Sequence, residues 1–189
     1  MKKVFKIIAV VFILFFAVYG IYSFTKDVVS YVSFQRQYNA ITRVQNIKNG
    51  AVRFPDIKFQ SPDGKTVSLY EELKKKDFVI LSFGSIYCDN CHKEYETIQK
   101  ENLLSAVPKN AEMFLIVPEG RDFVNQFEED LKIHLPIYTV DKSVMKELGI
   151  SKIPAYFLIG KDGKAKAYIE GFKTSTLQDM FDYIKKNGS

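Results

Sequence analysis

Cys88 and Cys91 are the chain's only two cysteines, and they lie in the run Cys88-Asp89-Asn90-Cys91. That spacing lets the two sulfurs close a small disulfide. The apolar segment before them, Phe78-Val79-Ile80-Leu81-Ser82-Phe83, reads as a buried strand, and residues 92–106 after them read as a helix. A dithiol at a strand-to-helix turn has its first sulfur at a helix N-terminus, where unpaired N–H groups and the helix dipole favour a thiolate. The thiolate is the reactive species, and Cys-x-x-Cys sites lower its pKa in this way. The leading expectation is thiol–disulfide exchange.

Other chemistries compete for the same residues. The pair could be two small core residues or an inert staple, although closing so short a loop removes little chain entropy. A zinc site usually takes four ligands, and only His92 and His134 remain to join the cysteines, so no metal is expected. Cys88-Asp89-Asn90-Cys91-His92 also fits the Cys-x-x-Cys-His pattern of covalent haem attachment, with His92 as axial ligand. A haem protein would wrap helices around the macrocycle, whereas strand-like segments frame this motif.

The N-terminus sets the compartment. Lys2, Lys3 and Lys6 precede residues 7–24, a stretch of 18 residues without a charge. At ~1.5 Å per residue that is about enough to cross a hydrocarbon core of ~30 Å. Flanking lysines stay in the cytoplasm, which puts the remainder outside. A cleaved signal would end in small residues, but the exit here, Ala17-Val18-Tyr19-Gly20-Ile21-Tyr22, is aromatic. An uncleaved single-pass anchor over 1–25 is expected, with the rest of the chain extracytoplasmic. Outside the cytoplasm a disulfide persists and can be exchanged. The formal net charge is +5, and without the three anchor lysines 24 basic residues face 22 acidic ones. A surplus of +2 does not point to nucleic acid.

Residues 26–50 carry residues at helical spacing (Val28, Tyr31, Phe34 or Gln35, Tyr38, Ile41, Val44) and read as a juxtamembrane stalk continuing the membrane helix. The domain proper is expected over 51–189. Segments 56–60 and 65–69 flank Ser61-Pro62-Asp63-Gly64, a hairpin signature, and a short helix follows at 70–75. Beyond the dithiol, strands are expected at 113–117, 135–140, 155–159 and 165–169, and helices at 122–132, 143–148 and 174–186. Lys161-Asp162-Gly163 turns the last hairpin. Strands alternating with helices, then a hairpin and a final helix, give an α/β sandwich around a mixed sheet.

The order of strand, Cys-x-x-Cys, helix, then Ile153-Pro154 ahead of a strand and hairpin, resembles the thioredoxin superfamily. Phe54-Pro55-Asp56-Ile57-Lys58-Phe59 with Asp63-Gly64-Lys65-Thr66-Val67-Ser68-Leu69 looks like the N-terminal hairpin of TlpA-like and ResA-like members, which are membrane-anchored and work outside the cytoplasm. The long gap from Cys91 to Pro154 and the run Ile159-Gly160-Lys161-Asp162-Gly163-Lys164 fit the same branch, and the resemblance covers about 51–188. It implies a three-layer sandwich with a mixed central sheet. Cys88 would be the exposed nucleophile, Cys91 the buried resolving thiol, and Pro154 a cis proline packed on the dithiol. The Ile153 backbone would pair with an extended substrate segment, as in strand addition. No cofactor is implied beyond the redox-active Cys88–Cys91 disulfide. The partners implied are exported proteins carrying thiols or disulfides, with a membrane redox partner.

Some positions depart from the family pattern. Tyr87 stands where the family usually has tryptophan, which keeps an aromatic shield beside Cys88. Thioredoxin's buried acid falls at Ser82, which cannot be a carboxylate base; the next candidate is Glu94, one helical turn beyond Cys91. A matching glutamate is a proposed proton carrier in the ResA-like branch, whereas the bland reading is a solvated acid in the first helical turn. Asp89 and Asn90 between the cysteines are unusual. An ionised Asp89 should raise the Cys88 pKa and make the couple more reducing; a protonated His92 would push the other way, though it is expected to face solvent. The direction of electron flow stays open, and a c-type cytochrome or a non-catalytic peptide-binding module remain alternatives.

Overall fold

The structure, a computed structural model, describes the backbone of residues 2–188, and the side chains of these except at 2–17, 23, 27 and 37–40. The expected anchor over 1–25 lies largely outside the described side chains. Among the described residues no helix is long and apolar enough to cross a membrane. The chain divides into two compact units, Met1–Arg43 and Val44–Ser189. The first is the bulk of one helix, α1 (Lys2–Lys48), whose described side chains include exposed Tyr19, Tyr22, Phe24, Tyr31 and Phe34.

The second unit begins with the last turns of α1. It continues with β1 (Lys58–Gln60), β2 (Thr66–Ser68), α2 (Leu69–Lys75), β3 (Phe78–Phe83), α3 (Asp89–Lys100), β4 (Ala111–Val117) and α4 (Arg121–Leu131). It closes with β5 (Ile137–Thr139), α5 (Lys142–Glu147), β6 (Ala155–Gly160), β7 (Ala165–Glu170) and α6 (Thr174–Asn187). Among the described residues the strands form one seven-stranded sheet in the order β2-β1-β5-β4-β3-β6-β7. The three inner strands β3, β4 and β5 run parallel, and β6 lies antiparallel on the other side of β3. The sheet is mixed, as the alternation of elements predicts.

All six residues of β3 are buried, which is the property of a central strand covered on both faces. Successive side chains alternate in direction. Phe78 and Ile80 therefore join α3, α4 and α6 in one apolar layer, while Val79, Leu81 and Phe83 join α2, α5 and the end of α1 in the other. The result is a three-layer helix–sheet–helix sandwich of thioredoxin type.

Several boundaries differ from the sequence expectation. The helix after the dithiol begins at Asp89 rather than 92 and ends at Lys100; a separate 3₁₀ turn, Leu103–Ala106, completes the segment. Asn102 breaks the helix by adopting left-handed backbone (φ 52°), a conformation asparagine tolerates better than most residues. The strand expected at 135–140 shrinks to three residues after Pro136, which has no N–H to give a ladder. The domain also starts earlier than 51. Ile47 is only 2% exposed and packs in the layer with Leu148. Beside it the Lys48 Nζ donates to the Gly149 carbonyl at 2.7 Å and lies 4.1 Å from the Tyr168 ring centroid.

Candidate active site

The dithiol sits where the sheet requires it. β3 ends at Phe83, the chain turns through Gly84 to Tyr87, and α3 starts at Asp89. Cys88 is the N-cap of α3, with extended backbone (φ −109°, ψ 111°). Its carbonyl accepts from the amides of Cys91 (2.8 Å) and His92 (3.0 Å), and its sulfur accepts from the Cys91 amide at 3.2 Å. The nucleophile expected from the sequence thus carries its own amide donor at the positive end of a helix, which favours the thiolate. Cys88 and Cys91 form a disulfide with their Cα atoms 5.2 Å apart. The two sulfurs differ in access: Cys88 is half-buried and Cys91 is fully buried (0% exposed).

The register of β3 against β6, Phe83 opposite Ala155, brings the residues preceding β6 beside the turn after β3. The Ile153–Pro154 peptide bond is cis. The Ile153 carbonyl oxygen lies 3.9 Å from Cys88 Sγ, so a substrate chain bonded to Cys88 would meet this backbone. Tyr87 is 72% exposed beside them, and Asp89 and Asn90 are exposed at the start of α3. A groove of about 800 Å³ opens next to the dithiol, lined by Ser85, Tyr87, Glu119, Met145, Lys146 and Ile153 among others.

Glu94 is not a solvated acid. It is 0% exposed, and the Ser82 hydroxyl donates to its Oε1 at 2.7 Å. Ser82 holds the strand position where thioredoxin places its acid; here it turns toward α3 and serves as donor to an acid supplied from the helix. Burial pushes the Glu94 pKa up to about 7, against the opposing pull of the Tyr156 and Ser82 hydroxyls. His92 also departs from expectation. Its Nε2 lies 2.6 Å from the Ile86 carbonyl and its ring packs on Phe127 at 4.9 Å between centroids. One turn beyond the N-cap, it is half-buried over the turn it stabilises, rather than facing solvent or standing open as an axial ligand. Among the described residues no group of three or more His, Cys, Asp or Glu could hold a metal ion.

Three neighbours of the site escape sequence reasoning. The Glu119 carboxylate straps the active-site turn, accepting from the Ser85 hydroxyl (2.6 Å) and the Ile86 amide (3.4 Å). The parallel pairing of β3 with β4 makes this inevitable, because residues following β4 land beside residues following β3. Tyr95 and Tyr156 are buried around the Glu94 carboxyl and read in the sequence as ordinary core aromatics.

A Cys-x-x-Cys pair at the strand–helix junction of a thioredoxin-like sandwich, working through its own disulfide, defines a thiol–disulfide oxidoreductase. The chain belongs to the redoxin family, whose model matches residues 49–184. It is 27% identical over 153 residues to thiol-disulfide oxidoreductase ResA of Bacillus subtilis, covering 78% of this chain and 83% of that protein. Two solved structures share the fold. A putative protein disulfide isomerase from Bacteroides thetaiotaomicron has a TM-score of 0.61 at 22% identity, with 74% of this chain and 89% of that one covered. StoA from Bacillus subtilis has a TM-score of 0.54 at 21% identity, with 67% and 96% covered.

Proposed function

We propose that this chain is a membrane-anchored, extracytoplasmic thiol–disulfide oxidoreductase of a bacterium, acting on exported proteins through Cys88 and Cys91. The observation that carries the reading is the asymmetry of the two sulfurs. Cys88 is accessible, N-caps α3 and faces the Ile153 carbonyl, while Cys91 is sealed behind it beside a buried acid. Residues 1–25 form the anchor and the residues from 26 to the start of the domain the stalk; Lys2, Lys3 and Lys6 hold the N-terminus inside.

In the reducing direction, the Cys88 thiolate attacks one sulfur of a substrate disulfide. The substrate S–S bond breaks, and its second sulfur leaves as a thiolate that takes a proton from solvent. Glu94 accepts the proton of Cys91. The Cys91 thiolate then attacks Cys88 Sγ, forms the Cys88–Cys91 disulfide and expels the remaining substrate thiolate. Two electrons pass from the dithiol to the substrate, and the oxidising direction is the reverse. Tyr87, Pro154 and the Ile153 backbone hold the extended substrate beside Cys88. Asp89, Asn90 and His92 set the potential, Asp89 by its charge and His92 by fixing the turn.

Trapping tests the reading. In cells, Cys91→Ser should accumulate mixed disulfides between Cys88 and exported proteins, and Cys88→Ser should accumulate none. Absence of adducts from Cys91→Ser, or adducts confined to cytoplasmic proteins, would refute it. Equilibration with thiol–disulfide buffers then fixes the direction: a potential near about −270 mV marks a reductase, and one near about −120 mV an oxidase.

A further inference from the structure

The space between the sheet and α3 is apolar except at one place. Ser82 of β3 and Tyr156 of β6 are direct cross-strand partners, both facing α3, and α3 answers with Glu94 and Tyr95. All four are at most 1% exposed. One hydrogen bond is made in this cluster, from the Ser82 hydroxyl to Glu94 Oε1. Glu94 Oε2, the Tyr95 hydroxyl and the Tyr156 hydroxyl have no hydrogen-bond partner among the described residues. A buried polar atom without a partner is destabilising, and most buried polar atoms have one. Phenylalanine at 156 would fill almost the same volume without that cost.

Tyr95 faces the sulfur: a methyl group added at Gly84 would collide with its hydroxyl and stand 3.4 Å from Cys91 Sγ. Tyr156 stands directly across the ladder from Ser82, whose hydroxyl donates to Glu94, and is buried in the same layer as the acid. Glu94 therefore has an unfilled oxygen in the same sealed layer as an unfilled donor. The other groups acting here are few. Cys91 and Tyr95 come from α3 itself, and Glu119 in the β4–α4 loop acts on Tyr95. α4 and α6 bring apolar side chains, Phe127, Leu177, Met180 and Phe181.

We infer that Tyr156 is a positioning residue of the dithiol reaction, its phenol stabilising the Glu94 carboxylate that receives the proton of Cys91. The inference rests on the role given to Glu94 above. A carboxyl buried this deeply favours its neutral form, which cannot accept a proton. Ser82 supplies one donor to the carboxylate, and the unpartnered Tyr156 hydroxyl supplies a second when the acid ionises, so that a usable fraction is ionised near neutral pH. In the resolving step the Cys91 S–H bond breaks and a Glu94 O–H bond forms, and the sulfur's electron pair attacks Cys88 Sγ.

The test follows the resolving step alone. Full-length protein is converted to a mixed disulfide between Cys88 and a model peptide thiol, and peptide release is timed from pH 5 to 9. Cys88 is then part of a disulfide and does not titrate. Tyr156→Phe should move the midpoint of the pH profile upward by roughly half to one unit. Release should slow several-fold at pH 7 and stay near wild type at pH 9. Glu94→Gln should abolish this limb, and Tyr156→Phe should add nothing in that background. A tyrosine analogue with a fluorinated ring at 156 keeps the fold and strengthens the donor, so it should move the midpoint down. An unmoved midpoint in both Tyr156 variants overturns the inference while leaving Glu94 in place. A limb that survives Glu94→Gln overturns the role of Glu94, and this inference with it.

Discussion

On the α2/α5 side of the sheet, β3 and β6 present Val79, Leu81, Phe83, Phe157 and Ile159. On the α3 side the same two strands present Ser82 and Tyr156 among Ile80 and Leu158. The first face is an aromatic mosaic, with Phe157 meeting Phe54 edge-on at 4.9 Å between centroids and Phe59 meeting Phe114 at the same distance. The second face carries a carboxyl and three hydroxyls sealed from water. Strand alternation keeps the two jobs on opposite sides of one backbone. Both faces bury an apolar layer, but only the α3 side also buries a carboxyl and its hydroxyls.

The sharpest way to break this comparison is to damage the aromatic face and look for an effect on the other. Phe157→Ala should cost about 3–5 kcal/mol in denaturant unfolding. The pH profile of mixed-disulfide resolution should stay where it is; a shifted profile would mean the faces are not separate. Ile47→Ala should cost about 2–4 kcal/mol by the same assay, because the end of α1 belongs to that face. A domain cut to begin at residue 51 should lose at least as much, seen as a lowered melting temperature against one beginning at 44.

The chemical face should answer to pH. The folded Glu94 pKa, about 7, exceeds its ordinary value of 4.5, so between these the native state holds more protons than the unfolded chain. Stability of the oxidised protein should therefore fall as pH rises from about 4.5 to about 7, by on the order of 3 kcal/mol, and level off above. Glu94→Gln should flatten that slope in unfolding curves at pH 5 and pH 8. An equal slope in wild type and variant would place the titration elsewhere. The smallest effect expected is at the exposed rim. Asp89→Asn should raise the reduction potential by about 10–30 mV, read by equilibration with thiol–disulfide buffers. An unchanged or lowered potential would remove Asp89 as a determinant.

What the sequence discloses follows the same division. The run 78–83 is uniformly apolar save Ser82, and a strand buried on both faces has that appearance whatever lies against it. Cys88, Cys91 and Pro154 are legible because their spacing and order are those of a thioredoxin-type site. Glu94 is visible as a candidate, but its burial is not, since a glutamate in a first helical turn usually faces water. Tyr156 and Tyr95 are invisible as polar residues: in an apolar run a tyrosine reads as a large hydrophobe, and only the cross-strand register reveals what its hydroxyl meets. His92 misleads for a related reason, because its partner, the Ile86 carbonyl, is backbone and leaves no trace in residue identity. Ile47 is lost to the stalk because a helix entering a domain keeps its periodicity across the boundary.

The unequal access of the two sulfurs also constrains the order of events in turnover. In the mechanism proposed above, with Cys91 closed off, Cys88 is the single point of covalent attachment, and it can hold one partner at a time. A substrate and a regenerating partner cannot both be bonded to this protein. Each must leave before the other arrives, carrying away or delivering two electrons, so the enzyme alternates between two stable forms. Initial rates measured against one partner at several fixed levels of the other should give parallel double-reciprocal lines, the signature of a ping-pong exchange.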